Sequence, residues 1–234
     1  RPQRLHDMAL RALAPLAQRR ERQIEHREAR GRGGAGGSTF LRVRHRAHDW
    51  LGRGLAGRLR GVSLNAQGWL QAESLVDRLQ SRDIAAIYSS PQPRAQETVA
   101  PLAGRRKPPI RMLEAVDEVG FGGWAGRAVG WVARQDGERW RQWCLHRSRA
   151  QPPGGEPFEQ VRRRAVAALH ELGLRYPDGA VLIASHGDVI KAVIATSLQM
   201  SLDDLECFDI EPASVSVLQL GAGWQKVKMV NGPG

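Results

Sequence analysis

Cysteine and long apolar runs are the features that this chain has least of. Of its 234 residues only two are cysteines, Cys144 and Cys207, which lie far apart and outside any metal-ligand spacing. This scarcity argues against a disulfide framework and against a zinc site, and it fits a reducing compartment. No run of about 18 apolar residues occurs, so we expect no transmembrane helix and no membrane partner. The lack of an apolar secretory core near the amino terminus predicts no signal peptide and a cytoplasmic location.

Acidic residues are also in short supply. The chain has 24 acidic and 35 basic residues, which gives a net charge of +11. Residues 1–37 carry nine arginines and four acidic residues, a net charge of +5, and they end in a glycine-rich stretch. We predict that 1–37 form a basic, flexible arm and that 38–234 form one globular domain. We expect no nucleic-acid partner, and binding of nucleic acid by the arm is the less favoured alternative.

The rest of the chain alternates between short apolar stretches and amphipathic segments. Strands are predicted at 39–44, 84–89 and 180–184, each followed by a predicted helix. Consecutive βαβ units of this kind imply parallel strands with helices on both faces. The predicted fold class is therefore α/β, a three-layer α/β/α sandwich with a mostly parallel central sheet. A hairpin of 215–220 and 227–230 is predicted to close it.

Smaller features of the pattern give further expectations. Asn65 can cap the first helix, and the apolar residues of that helix are predicted to lie on one side, namely Leu70, Leu75, Val76 and Leu79. Gly104 is predicted to end the second helix, at 91–103. A glycine-rich loop at 114–130 leads into a helical insertion. We expect its tryptophans to pack locally, and these are Trp131, Trp140 and Trp143.

Basic and imidazole side chains stand at the ends of the predicted strands. Arg44 and His45 end the first strand, His186 follows the strand at 180–184, and Arg94 begins the second helix. Ligands of open α/β sheets bind outside the carboxyl ends of the strands. We therefore expect these four side chains to gather into one cationic cup that binds an anion.

Taken in order, segments 41–46, 87–98 and 181–188 resemble the motif blocks of the histidine phosphatase superfamily, which also contains the cofactor-dependent phosphoglycerate mutases. The resemblance covers residues 38–230. It implies a phosphoglycerate mutase-like fold. It also implies a phosphomonoesterase that acts on small phosphorylated metabolites through a phosphohistidine intermediate.

Phosphoryl transfer requires charge neutralisation, an in-line nucleophile and a proton for the leaving oxygen. Arg44 and Arg94 can offer forked donors to the phosphoryl oxygens, and His186 can add another donor. His45 is the candidate nucleophile, because a neutral imidazole can attack phosphorus and nearby arginines disfavour its protonated form. His48 is a further candidate for phosphate binding.

The resemblance also indicates which acid protonates the leaving group. Glu118, four residues before Gly122, matches the family segment and is preferred over Asp117 and Glu114. Its pKa has to be raised if it is to hold a proton near neutral pH. We expect neither a metal ion nor a cofactor, because arginines and histidines take over the metal's role. The predicted catalytic residues are His45, Glu118 and His186.

Two arginines depart from the expected pattern. Arg46 replaces the small residue that commonly follows the nucleophile in the family, and its side chain can crowd the phosphate. Arg42 lies in a predicted central strand, where it needs either a carboxylate partner or an exposed position. Arg46 keeps open a non-catalytic protein that binds phosphoryl ligands, and a mutase of the phosphoglycerate mutase type is a further alternative. The expected partner is a small phosphorylated substrate, with a homodimer left open.

Overall fold

The computed structural model describes residues 37–50, 52–106 and 108–232. The predicted arm at 1–37 lies outside the described residues except for Gly37, so its flexibility stays a prediction. Among the described helices, none combines the length and the apolar character needed to cross a membrane.

The described chain alternates strands and helices in the predicted order. The strands are β1 (Ser38–Arg44), β2 (Ile84–Ser89), β3 (Ile110–Met112), β4 (Ala180–Ser185), β5 (Val215–Gly221) and β6 (Trp224–Gly232). The helices are α1 (Ala66–Leu79), α2 (Pro93–Arg106), α3 (Val129–Gln135), α4 (Gly137–Leu145), α5 (Phe158–Arg175) and α6 (Gly187–Ser197). Three 3-10 turns occupy Glu114–Val116, Gly122–Trp124 and Leu202–Cys207.

The six strands form one sheet in the order β3-β2-β4-β1-β5-β6. The first four strands in this order are parallel to one another, whereas β5 runs antiparallel to β1 and pairs with β6 as a hairpin. The predicted α/β class with a mostly parallel sheet is therefore confirmed, as is the closing hairpin. Because β1 and β4 lie side by side at the centre, their carboxyl ends meet at one edge.

Each face of the sheet is covered by its own pair of helices. Leu41 and Val43 of β1 point into a cluster with the apolar faces of α1 and α2. Phe40 points the other way, into a cluster with α5 and α6. This alternation is what a strand buried on both faces requires, since successive side chains point to opposite sides. The three-layer arrangement follows from it.

Two details of the predicted helices are wrong. Leu70 is 75% exposed, while the other residues predicted on its side of α1 are buried. It lies about 200° around the helix from the buried Ala72, which puts it on the opposite side. Helix α2 continues past Gly104 to Arg106. A glycine ends a helix when it adopts a positive φ, and Gly104 is not among the residues with positive φ.

The tryptophans of the insertion pack as predicted in two of three cases. Trp143 is buried, with edge contacts to the rings of Phe158 at 5.6 Å and Trp124 at 6.1 Å, and Trp140 lies 5.7 Å from Trp124. Trp131 is more open, at 38% exposure, and the guanidinium of Arg127 lies 4.7 Å from its ring centroid. The insertion is therefore joined to the domain through an aromatic cluster.

Arg42 is fully buried in β1, between Ile183 of β4 and Ser216 of β5. None of its three guanidinium nitrogens has a hydrogen-bond partner among the residues that the structure describes. Burial lowers the pKa of Arg42 to about 9. Neither the carboxylate partner nor the exposed position that the sequence led us to expect is present, so this cation destabilises the fold.

Replacing Arg42 with methionine is expected to raise the free energy of unfolding at pH 7 by about 1–3 kcal/mol, because it removes a desolvated, unpaired charge. Urea unfolding of both proteins measures the difference. The exposed Arg60 provides the control, since an Arg60→Met change should stay within about 0.5 kcal/mol of the parent. A less stable Arg42→Met protein would contradict the prediction.

Candidate active site

The side chains predicted to form a cationic cup do meet at the carboxyl edge of the sheet. Arg44 ends β1 and His45 follows it, His186 follows β4, and Arg94 lies in the first turn of α2. The ring centroids of His45 and His186 are 5.1 Å apart, and Arg94 Nη2 lies 3.4 Å from His186 Nδ1. All but Arg44 are buried. Residues more than 140 positions apart are thus gathered around one small volume.

Hydrogen bonding determines which nitrogen of His45 is free. Its Nδ1 lies 3.0 Å from the backbone carbonyl oxygen of Arg46, so Nδ1 carries the proton and donates it. Nε2 is left with its lone pair. This tautomer is the one that a nucleophilic imidazole needs.

The surroundings of His45 also keep its ring neutral. Burial is the main cause that holds the pKa of His45 well below its usual 6.5, and the charge of Arg94 adds to it. Both effects penalise the imidazolium form. The ring therefore stays unprotonated across the physiological pH range, and its lone pair remains available.

Several buried nitrogens of the two arginines have no partner in the described part of the chain. Arg94 donates from Nη2 to the carbonyl of Gly57 at 2.7 Å, which leaves Nε and Nη1 unpartnered. Arg44 donates from Nη1 to the carbonyl of Ile210, which leaves Nε unpartnered. A Cβ on Gly187 would lie 3.3 Å from Arg44 Nε, so glycine gives this guanidinium room beside the start of α6. Buried donors without acceptors are costly, and an anion would satisfy them.

His186 is held by a chain of hydrogen bonds that the sequence did not reveal. Its Nε2 lies 2.7 Å from Ser90 Oγ, and Ser90 donates to Asp117 Oδ1 at 3.0 Å. Because the serine proton goes to the carboxylate, Ser90 accepts the proton of Nε2, and the unprotonated Nδ1 of His186 faces the cup. The prediction that His186 donates to the phosphoryl group is therefore wrong for the neutral ring, since its N–H is used on Ser90. Gln92 donates to the second oxygen of Asp117 at 3.2 Å. The position of Ser90 at the end of β2 was the available sequence signal.

Replacing Ser90 with alanine is expected to lower kcat/KM about 10- to 100-fold, because His186 Nε2 and Asp117 both lose a buried partner. Steady-state kinetics on a phosphate ester measures the loss. Ser89 is a matched control, since it is equally buried but its hydroxyl donates to a backbone carbonyl. A Ser90→Ala protein as active as Ser89→Ala would show that the chain of hydrogen bonds is not needed.

Glu118 lies on the Nδ1 side of His186, whereas Asp117 lies 3.9 Å from its Nε2. Glu118 Oε2 lies 3.4 Å from His186 Nδ1. Burial raises the pKa of Glu118 to about 7, with a further rise from Asp188, while Arg94 and Arg44 oppose the change. A carboxyl group of this pKa holds its proton near neutral pH, as a general acid must.

The two alternative acids are placed differently. Asp117 is buried and bonded to Ser90 and Gln92, as described above. Glu114 is exposed. The geometry therefore agrees with the preference for Glu118.

Two arginines outside the predicted site hold the loop that carries Glu118. The carbonyl oxygen of Glu118 accepts from Arg58 Nε at 2.8 Å and from Arg164 Nη2 at 3.1 Å. Both arginines also pair with Glu156, at 2.7 Å and 2.8 Å. Neither role was visible in the sequence, because Arg58 lies 60 positions and Arg164 46 positions from Glu118. The charge of Arg58 is thus paired within the protein, with Asp117 and Glu156.

His48 lies beside the nucleophile candidate, with ring centroids 4.8 Å apart. Its Nδ1 accepts from the backbone N–H of Trp50 at 3.2 Å, so the proton lies on Nε2. Burial, Arg94 and Arg44 lower the pKa of His48 to about 4. His48 is thus a neutral donor, and the arrangement suits its predicted role in phosphate binding.

The side chain of Arg46 leads to the loop before β5. Its Nη1 donates to the carbonyl of Ala213, which also accepts from Arg78 Nη1 at 2.9 Å. Its backbone N–H donates to Thr98 Oγ1 at 3.1 Å. The turn after His45 is therefore fixed by side-chain and backbone bonds that involve Arg46.

His45, Glu118 and His186 also have the spacing of a metal-binding group, with candidate ligand atoms within 4.8 Å of one another. The charges around them favour an anion instead, since Arg94 lies against His186 and acts, like Arg44, on the charge of Glu118. We therefore interpret the group as an anion site. The absence of a metal requirement stays a prediction.

Comparisons with known proteins show the family of this chain. The sequence model of the histidine phosphatase superfamily, branch 1, matches residues 40–232. The chain is 32% identical over 200 residues to the bifunctional protein Rv2228c of Mycobacterium tuberculosis, with 85% of this chain but only 52% of that protein covered. It thus spans about half the length of the first curated relatives that it matches.

Two further matches extend over most of both chains. Phosphoserine phosphatase 1 of Hydrogenobacter thermophilus is 27% identical, over 77% of this chain and 86% of that protein. The solved structure of YhfR from Bacillus stearothermophilus superimposes with a TM-score of 0.78 at 28% identity, over 82% of this chain and 96% of that one. With the family model covering residues 40–232, the chain belongs to branch 1 of the histidine phosphatase superfamily.

Proposed function

We propose that this protein is a phosphomonoesterase that hydrolyses small phosphorylated metabolites through a phosphohistidine formed on His45. The observation that carries the proposal is that buried nitrogens of Arg44 and Arg94 have no partner among the described residues, at a strand edge where two imidazoles lie 5.1 Å apart. Burial and Arg94 hold the pKa of both His45 and His186 well below 6.5, so both rings are neutral. A phosphate dianion supplies the acceptors that these guanidinium donors lack. Its phosphorus would then lie next to the free Nε2 of His45.

The first half-reaction follows from these positions. Nε2 of His45 attacks phosphorus, and the bond between phosphorus and the ester oxygen breaks. The leaving oxygen takes the proton of Glu118, so the alcohol departs neutral and Glu118 becomes a carboxylate. Arg44, Arg94 and the N–H of His48 stabilise the charge on the transferred group.

The second half-reaction regenerates the enzyme. Water attacks phosphorus, the bond from phosphorus to Nε2 breaks, and the Glu118 carboxylate takes a proton from the water. Inorganic phosphate leaves and His45 returns to its neutral form. In a mutase, a second hydroxyl group would take the place of water.

The direction of the Arg46 side chain supports catalysis over binding alone. Its Nη1 donates to the Ala213 carbonyl, and the backbone turn of Arg46 provides the acceptor for His45 Nδ1. The residue that departs from the family pattern thus helps to orient the nucleophile through its carbonyl. The relatives named as phosphatases favour the same conclusion, and phosphoserine phosphatase 1 suggests phosphorylated amino acids as one substrate class to test.

The test is a hydrolysis panel combined with detection of the intermediate. Purified protein is given p-nitrophenyl phosphate, phosphoserine, glycerol phosphate, sugar phosphates and nucleoside monophosphates, and inorganic phosphate is measured. A rapid quench followed by peptide mass spectrometry should find phosphate on His45. Binding of phosphate without turnover of any ester would favour the non-catalytic alternative, and transfer to added alcohols in place of water would favour the mutase.

A further inference from the structure

A buried arginine outside the site described above connects the helical insertion to the catalytic helix α6. Arg147 follows α4 and is only 5% exposed. Its guanidinium lies 4.3 Å from the ring centroid of Trp143 and 5.1 Å from that of Phe158. Its Nε donates to the carbonyl of Trp143 at 2.7 Å. Aromatic rings and a backbone bond therefore fix the position of this charge.

The two remaining nitrogens of Arg147 reach carboxylates. Nη2 lies 2.9 Å from Glu206, whose side chain is largely exposed, and Nη1 lies 3.4 Å from Asp188 Oδ1. Asp188 lies in the first turn of α6, two residues after His186. A single side chain of the insertion thus acts on a charge next to the phosphate-binding cup.

Asp188 in turn acts on Glu118. Asp188 lies two residues after His186, and Glu118 Oε2 lies 3.4 Å from His186 Nδ1. After burial, the negative charge of Asp188 is the second cause that raises the pKa of Glu118. Arg147 pairs with Asp188 and so offsets part of this effect. The other charged or titratable groups that act on or lie near Glu118 are Arg44 on β1, His45 after it, Arg58 before α1, Arg94 on α2, Asp117 beside it, Arg164 on α5 and His186 before α6.

We propose that Asp188 and Arg147 form a tuning pair that sets how firmly Glu118 holds its proton, and thereby places the alkaline limit of the reaction. The inference rests on the proposed function, in which Glu118 is the general acid. Asp188 favours the protonated acid, and Arg147 limits that preference. Neither touches the reacting atoms, so both are positioning residues.

The pair predicts opposite shifts for two substitutions. Asp188→Asn removes the negative charge, so the alkaline limb of kcat/KM should move to lower pH by about half to one unit. Arg147→Met keeps the packing on the two rings but leaves Asp188 uncompensated, so the limb should move to higher pH. Arg147→Lys should restore most of the original profile. Exposed Arg149 is the matched control, and Arg149→Met should leave the limb unmoved.

The profiles are measured with glycerol phosphate, whose poor leaving group needs the acid, and with p-nitrophenyl phosphate, whose good leaving group does not. The shifts should appear with glycerol phosphate alone. The pKa of Glu118, followed by NMR of carbon-labelled glutamate in each variant, provides a readout that needs no turnover. If Arg147→Met fails to fold, the pH profiles of Asp188→Asn and Arg147→Lys still test the tuning pair.

The outcomes separate the two proposals. A protein that hydrolyses neither ester overturns the proposed function. A protein that hydrolyses both esters, but whose alkaline limb and Glu118 titration do not move in Asp188→Asn, overturns the tuning pair alone. A shift in the same direction for Asp188→Asn and Arg147→Met overturns it as well.

Discussion

Substitution of His45 by alanine is expected to lower turnover by about 10⁴-fold or more and to remove the phosphorylated peptide from the quenched reaction. The reason is geometric. His45 has a free Nε2, because its Nδ1 donates to the carbonyl of Arg46. His186 uses its Nε2 on Ser90, and its Nδ1 lies 3.4 Å from both Arg94 Nη2 and Glu118 Oε2. His48 uses its Nδ1 on Trp50. Steady-state kinetics on p-nitrophenyl phosphate and mass spectrometry of the quenched enzyme measure both effects.

Other histidines, some exposed and one beside His45, provide the controls for this prediction. His146 and His170 are exposed, so alanine at either should leave the rate unchanged. His48→Ala should cost about tenfold, because it removes one donor to the phosphate. Phosphate found on His186 in the parent enzyme, or near-normal turnover by His45→Ala, would reject His45 as the nucleophile.

The pH dependence below neutrality gives an independent check on His45. Burial and Arg94 hold its pKa well below 6.5, so protonation of the nucleophile should not reduce the rate between pH 6 and 7. An ordinary, solvated histidine would lose activity in this range. The loss expected there belongs instead to the substrate, whose second ionisation has a pKa of about 6.

The residues at strand ends could be predicted because of a property of parallel sheets. Arg44 ends a strand, and His45 and His186 each follow a strand, that the apolar pattern marks clearly. The carboxyl ends of parallel strands share an edge, so these residues lie at the same edge of the sheet whatever the order of the strands. Glu118 followed from the family resemblance rather than from any periodicity.

The supporting residues could not be predicted in the same way. Ser90, Arg58 and Arg147 act through partners that are 27 to 98 positions away, and no periodic pattern links such pairs. A serine at a strand end and an arginine in a loop have many equally favourable positions on a surface. Only the fold decides which carboxylate or carbonyl each one meets.

The burial of Arg42 could not be predicted from the preferences of a single strand. The sequence predicted that Arg42 would have either a carboxylate partner or an exposed position, and this was wrong: it is buried without a partner among the described residues. The fold tolerates it because the surrounding strands and helices bury large apolar clusters on both faces of the sheet. One unfavourable residue is outweighed by the sum of many favourable ones.

Replacement of Glu118 by glutamine is expected to separate esters by their leaving groups. The value of kcat/KM for glycerol phosphate should fall by about 10²- to 10⁴-fold, because its alkoxide needs the proton that Glu118 supplies. For p-nitrophenyl phosphate kcat/KM should fall less than about tenfold, because the nitrophenolate leaves without protonation. The comparison uses kcat/KM, since loss of Glu118 as the base for hydrolysis of the intermediate lowers kcat for both esters. With the parent enzyme, kcat/KM for glycerol phosphate should decline above a pH of about 7, where Glu118 loses its proton.

Asp117 provides the control for the acid. Asp117→Asn removes a neighbouring carboxylate that acts on His186 through Ser90, so it should slow both esters to a similar extent. Equal losses of kcat/KM on both esters for Glu118→Gln would indicate that Glu118 does not protonate the leaving group. The selective loss is the signature of an acid.

The same substitution should change stability in a direction that depends on pH. In the folded protein burial raises the pKa of Glu118 from 4.5 to about 7, so the native state binds the proton more tightly than the unfolded chain. The resulting stabilisation is complete below pH 4.5 and is lost as the pH rises through 7. Glutamine cannot ionise, so Glu118→Gln should gain stability relative to the parent between pH 5 and 8 in thermal unfolding. A constant difference across that range would mean that the folded protein does not raise the pKa of this carboxyl group, and the acid would then be ionised at neutral pH.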